Sequence, residues 1–173
     1  MNHYKSWAGL NKQLSGFLCD ECKGRLSYFL TRYHEVHNSY GRAAIRLDNR
    51  EMVCFSWIEM YHQEHDLNEI WKETGVWDDN DLGLRKKWDA NATYYDMDFL
   101  SSATSFLQMP IMDALYSDNY ILQIFAILDR RIGKRTLRKI QEEGAYQSYP
   151  FWVKQFYELR LFISGGTDMV CRL

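Results

Sequence analysis

Within LCDECKGRLSYFLTRYHEVH, residues 18 to 37, Cys19 and Cys22 are two residues apart, and so are His34 and His37. Thiolates and imidazoles in such pairs are the ligands of tetrahedral zinc. The finger template places about twelve residues between the second Cys and the first His, and three to five between the two His. This chain has eleven and two. Spacing alone does not exclude coordination, because loops adapt. The elements are the stronger objection: Leu26 to Thr31 alternates as a strand, and Cys19 and Cys22 fall on the last turn of a preceding helix, which a ββα finger lacks. Cys19 also extends the apolar run of Phe17 and Leu18, where a free thiol packs as a small hydrophobe. The quartet therefore reads as a decoy, and no metal or other cofactor is expected.

A second set with metal-ligand chemistry is Glu59, His62, Glu64, His65 and Glu69. Glu59, His62 and His65 would share one helix face. However, MYHQEHD supplies neither the His-Glu-x-x-His nor the His-x-x-Glu-His arrangement of the zinc peptidases. A solvated acidic face is the simpler reading. Asp78-Asp79-Asn80-Asp81-Leu82-Gly83 begins like a calcium loop but puts Leu82 where an oxygen ligand belongs, and Asp89 where a bidentate Glu is expected. No nucleophile elbow, phosphate-cradling glycine loop or dinucleotide fingerprint occurs, so no motif supports an enzyme.

The third set is basic. DRRIGKRTLRK, residues 129 to 139, holds six bases against Asp129. Residues 59 to 81 hold eight acids against Lys72 alone. If the apolar helix ILQIFAIL (121 to 128) continues into the basic run, then Arg130, Arg131, Lys134, Arg135, Arg138 and Lys139 cover about half of the helical wheel. If Gly133 ends that helix, Arg130 and Arg131 sit in its last turn, where positive charge suits the helix dipole. Arg130, Arg131, Lys134, Arg135 and Arg138 are the candidate binding residues. Asp129 falls on the apolar side of the wheel; if buried, it needs an arginine or backbone donors, which implies a structural role at a helix junction.

The elements that would position these groups read as follows. Trp7, Leu10, Leu14, Phe17 and Leu18 form the stripe of an amphipathic helix with Ser6 as N-cap. After Gly24 the period shortens: Leu26, Tyr28 and Leu30 alternate with polar residues, although Phe29 breaks the polar side. RAAIRLD and EMVCFSW are two more strands, joined by a tight turn at Asn49-Arg50. A helix is expected from Ser56 to Gly75, while residues 76 to 96 remain ambiguous. Beyond Asp98 the chain reads as helical, with a segment to Gln108, a restart after Pro110, another near Ser117 or Asp118, and a last one opened by Ser148 with Pro150 near its first turn.

The expected fold is α+β: an N-terminal helix on a small three-stranded antiparallel sheet, followed by a helical C-terminal half. It fits a single domain over residues 1–173, with 1–55 holding the helix and sheet and 56–173 mainly helical. At 173 residues, 46% hydrophobic and 16% aromatic, the chain can bury a real core. No run of about 18 apolar residues and no secretory signal is visible, so a cytoplasmic protein without membrane association is expected. Four cysteines in that compartment are expected to stay reduced.

KGRLSYFLTRYHEVHNSYGRAAIRLDNREMVCF, SDNYILQIFAILDRRIGKRTLRKI and FYELRL resemble a family of small uncharacterised bacterial proteins. Its pattern carries a Gly-Arg strand, a Thr-Arg-Tyr-Arg segment, a Leu-Asp-Arg-Arg-x-Gly-Lys-Arg block and a C-terminal Phe-Tyr-x-Leu-Arg segment. The likeness runs from about Trp7 to Leu161. It implies a bacterial cytosolic protein and transfers no catalytic residue. The family pattern has no cysteines at the positions of Cys19 and Cys22, and a basic residue in place of His34; only His37 is matched. After Leu161 the chain departs from the pattern, with Phe162-Ile163-Ser164-Gly165-Gly166.

The functional expectation is a non-enzymatic interaction or regulatory protein acting on another protein through charged and aromatic surfaces. Nucleic-acid binding through residues 130–139 is the alternative, although a net charge of -2 gives no global attraction to phosphates. A metal-dependent hydrolase using His62 and His65 is the second alternative.

Overall fold

The computed structural model describes residues 6–32, 41–56, 92 and 94–164. His34, His37, His62, His65, the acidic run 59–81, the expected helix from Ser56 to Gly75, the calcium-like loop and Cys171 lie outside the described residues, Ser56 excepted. The fold is α+β. A helix α1 (Trp7–Phe17) is followed by β1 (Leu26–Arg32), β2 (Gly41–Leu47) and β3 (Arg50–Phe55). Five helices complete the described residues: α2 (Asp96–Phe106), α3 (Ile111–Leu115), α4 (Tyr120–Ile127), α5 (Lys134–Glu143) and α6 (Phe151–Ser164), with a short 3-10 turn at Ala145–Ser148. Among the described residues no helix is long and apolar enough to cross a membrane. The chain divides into two compact units: residues 26–101, and a discontinuous one made of residues 1–25 and 102–173.

The continuous unit holds the sheet, in the order β1-β2-β3, both pairs antiparallel. The tight turn lies one residue earlier than the sequence suggests. Asp48 and Asn49, not Asn49 and Arg50, are its central residues, with φ of 50° and 66°. Two consecutive positive φ values make the mirror-image turn whose twist matches the flanking strands, and Asp and Asn tolerate that region better than Arg. On the central strand Ala43, Ala44 and Ile45 are buried on both faces. Phe55 stacks on Phe99 at 5.6 Å and meets Tyr94 edge-on, while Tyr28 leans against Phe99. Gly41 is required: a Cβ there would collide with the Asp96 carboxylate and crowd the Thr31 carbonyl.

The apolar break in the polar face of β1 is also explained. The Arg46 guanidinium lies 4.1 Å over the Phe29 ring, a cation–π contact on the half-exposed side of the sheet. Arg46 also donates to Glu51 at 2.9 Å and 3.1 Å, and Arg42 grips both oxygens of the same carboxylate.

In the discontinuous unit, Ser6 caps α1 by accepting from the Gly9 amide. Leu10, Leu14 and Leu18 are fully buried, each contributing about 1.5–3 kcal/mol of transfer free energy. Phe17 meets Phe106 edge-on at 6.4 Å, and Phe106 packs on Phe125 at 5.5 Å. α4 is buried from Ile121 to Ile127, and Asn119 rather than Ser117 or Asp118 caps it, accepting from the Ile121 and Leu122 amides. Ser148 does not open the last helix; its hydroxyl donates to the Ala145 carbonyl within the 3-10 turn. α6 begins after Pro150, whose carbonyl takes the Val153 and Lys154 amides, and it runs through Phe162 to Ser164.

Contacts from the two arginines pull the Glu51 carboxyl down to about 2, Arg42 being the larger cause, against an ordinary value near 4.5. A depressed carboxyl stabilises the fold above its unfolded value and loses that contribution as pH falls through the folded one. Glu51→Gln is therefore expected to lower the melting temperature by about 2–4 °C at pH 7, a partly exposed network being worth about 1 kcal/mol. The gap from the parent protein should close as pH falls from about 4.5 to about 2, read by circular-dichroism melts.

Candidate functional site

The basic run does not form the continuous helical face that its spacing suggests. α4 stops at Ile127, the Leu128 amide still reaching the Ile124 carbonyl, and the chain leaves the helix at Asp129. Asp129 then pairs with Leu18 in an isolated antiparallel bridge: the Cys19 amide donates to Leu128 at 2.9 Å, and the Arg130 amide to Phe17 at 2.8 Å. Gly133 is neither inside a helix nor at the end of one. It is the N-cap of α5, with extended φ and ψ of -83° and 169°.

Asp129 explains the break. Its residue exposure is 1%, and an ionised carboxylate so withdrawn needs charged or backbone donors. Arg131 supplies both. Its amide donates to Oδ1 at 2.7 Å, Nε lies 3.1 Å and 3.0 Å from the two oxygens, and Nη2 donates to Oδ2 at 2.7 Å. The same guanidinium lies 4.3 Å over Phe17. Arg131 is thus a structural residue, as the expectation for Asp129 requires, and not a free surface cation.

α5 carries the cations that remain. Leu137 and Ile140 are buried and Thr136 is half-buried, while Lys134, Arg135, Arg138 and Lys139 are exposed. The helix ends at Gly144, left-handed at φ 63°, whose amide reaches back to Ile140. Beside it lie Met112 of the short helix α3, 42% exposed, and the C-cap of that helix, Tyr116, 56% exposed. Between these walls lies an open groove of about 590 Å³. Arg135, Arg138 and Lys139 line it with Met112 and Tyr116, and Glu142 and Glu143 line it near the C-terminal end of α5.

The charge order along α5 opposes the helix dipole. Cations are unfavourable at the first turn and carboxylates at the last, by about 0.3–1 kcal/mol each. Here Lys134 and Arg135 open the helix and Glu142 and Glu143 close it. Arg135–Arg138 and Arg135–Lys139 are also like-charge neighbours at three and four residues. Lys139 has an exposed ion pair to Glu143 at 3.5 Å. Lys134, Arg135 and Arg138 have no ion pair among the described residues. The side-chain charges and the backbone dipole therefore add, giving the groove a positive and a negative end.

Of the five candidate binding residues, the structure brings Arg135 and Arg138 into the groove and leaves Lys134 exposed at the head of α5. Arg130 is exposed on the turn before it, and Arg131 belongs to the Asp129 pair. Cys19 and Cys22 are buried free thiols. Among the described residues no group of three or more His, Cys, Asp or Glu could hold a metal ion. Met112 and Tyr116 are the residues that sequence reasoning misses. Their spacing of four on one helical face is visible, but an exposed pair and a buried pair look alike in sequence.

A family model described as the SF0329 protein family matches residues 6–161. The chain belongs to that family. The SF0329 match takes in all the groove residues, the Asp129–Arg131 junction and the whole sheet, and it ends before Phe162. No curated protein and no solved structure matches the chain.

The structural and the surface arginines should separate cleanly. Arg131→Leu leaves a buried carboxylate unpaired and is expected to cost about 3 kcal/mol. Arg135→Ala and Arg138→Ala should stay within about 0.5 kcal/mol of the parent. Lys134→Glu should raise stability by up to about 1 kcal/mol, since it replaces a cation opposed by the dipole with a favoured anion. Urea denaturation of the four variants measures all of this.

Proposed function

We propose that this chain is a non-enzymatic interaction protein that docks a segment of a partner protein in the groove between α3 and α5. The observation that carries the reading is the polarity of that groove, with Arg135, Arg138 and Lys139 toward one end and Glu142 and Glu143 at the other. A peptide with an acidic stretch over the arginines and an apolar or aromatic residue against Met112 and Tyr116 satisfies each part of the lining. Exposed Tyr and Arg are the residue types that most often dominate such interfaces. The unfavourable placement of charge on α5 supports the same reading, because the helix gives up intrinsic stability to hold a strong surface field.

Nucleic acid fits less well. A phosphate backbone is uniformly negative and would meet Glu142 and Glu143 after the arginines. Arg131, which would lengthen a basic stripe, is committed to Asp129. The hydrolase alternative depends on His62 and His65, which lie outside the described residues.

Placing a photo-crosslinking benzoylphenylalanine at position 116 and irradiating cells that make the protein tests the reading. The expected product is one discrete protein adduct whose cross-linked peptide is acidic. Arg135→Glu with Arg138→Glu should weaken its capture about tenfold or more. A nucleic-acid adduct, or a protein adduct indifferent to the charge reversal, would overturn it.

A further inference from the structure

Cys19 and Cys22 have a setting that the groove does not use. The two thiols end a four-residue turn closed by the Cys22 amide donating to the Cys19 carbonyl at 3.0 Å. A turn closed in this way holds its terminal Cα atoms within about 7 Å, which overlaps the span a disulfide bridges. The outer residues Asp20, Glu21 and Lys23 are exposed, whereas Cys19 and Cys22 are 1% and 0% exposed. The sulfurs therefore lie one turn beneath solvent. The turn is fixed from behind by the bond from the Cys19 amide to Leu128.

A buried cation faces the same turn. Arg160 of α6 is 6% exposed; its Nη1 lies 3.6 Å from the Glu21 carboxylate and donates to Ser164 Oγ at 3.0 Å, and its Nη2 donates to the Ile132 carbonyl at 3.2 Å. Its Nε is buried with no hydrogen-bond partner. Glu21 stands between the two cysteines in sequence, so the guanidinium that reaches it is at the thiol turn. A buried N–H left over on a cation fits a site where negative charge forms transiently.

We infer that Cys19 and Cys22 are a redox-reactive dithiol, closing to an intramolecular disulfide by exchange with a low-molecular-weight disulfide, with Arg160 as the positioning residue for the attacking thiolate. The two thiols are not equivalent. A hydrogen bond from the Cys22 thiol holds Cys19 below the ordinary thiol value, against its burial, and Arg160 adds to the lowering. Cys22 is pushed up by the same bond and by burial. Cys19 is therefore the nucleophile. Its thiolate attacks one sulfur of the small disulfide, giving a mixed disulfide and one released thiolate. Cys22 then gives up its proton, and its sulfur attacks Cys19, breaking the mixed disulfide and expelling the second thiolate. Two protein thiols are oxidised, one disulfide is reduced to two thiols, and the protons pass to the departing sulfurs. The attack requires a local outward swing of the turn, which its exposed outer face permits.

The test uses the full chain with Cys54 and Cys171 replaced by Ser, so that only the paired thiols remain. It is treated with glutathione disulfide, acid-quenched and read by mass spectrometry. The expected product is two mass units lighter, carries no glutathione, maps to a Cys19–Cys22 bridge and reopens with reduced glutathione. Arg160→Gln should slow bridge formation about tenfold at pH 7 and less at pH 9, where the thiolate forms without help, and Arg160→Lys should restore most of the rate. Each variant is first shown to melt cooperatively. For one that does not, the pH profile of the Arg160 parent decides, with a rate rising below the ordinary thiol value expected. Thiols that stay free, a lasting single glutathione adduct, or a bridge that forms only in urea would overturn the site. Equal rates for Arg160, Gln and Lys would remove the arginine from it.

Discussion

The carboxylate of Asp129, withdrawn from solvent, sets the layout of the discontinuous unit. A buried anion is tolerated only where donors converge on it, and here they come from the backbone and side chain of Arg131. To deliver them, the chain must leave the helical path at once after α4. That departure aligns Leu128 and Arg130 with the end of α1, so two backbone bonds join segments more than a hundred residues apart. It also fixes where the next helix can start. Gly133 opens α5 because the preceding four residues are already committed to the junction.

Much of the architecture was legible in sequence, because period and caps are local. Ser6, the strand alternation after Gly24 and the restart after Pro110 each have a mechanism confined to a few residues. The misplacements also have local causes. The hairpin turn falls one residue early because Asp and Asn accept the left-handed region and Arg does not, so Asp48 and Asn49 take the places expected of Asn49 and Arg50. Ser148 had the type of a cap, yet its hydroxyl is engaged in the turn before it.

The site was less legible, for a physical reason. A helical wheel over residues 121 to 139 puts Asp129 on the apolar side and so raises its burial, but it cannot register which donors answer the carboxylate or that the helix must break to bring them. With the helix drawn straight through, Arg130 to Lys139 look like a single face. Once the helix breaks, that face divides into a structural arginine and a short cationic helix. The far wall of the groove was invisible for a related reason: whether Met112 and Tyr116 are core or surface depends on what lies across from them, and only the folded chain specifies that.

The discontinuity of that unit has a further consequence, for biosynthesis. The apolar stripe Leu10, Leu14 and Leu18 leaves the ribosome more than a hundred residues ahead of the Leu128–Asp129 segment that the end of α1 pairs with. At roughly 5–20 residues per second that is a delay of about 5–20 s, long compared with the microseconds in which a helix forms and frays. During translation the N-terminus must stay unaggregated with its oily side uncovered, a state in which a chaperone has time to hold it. Slowing elongation anywhere between the two segments would lengthen that exposure without changing a single residue.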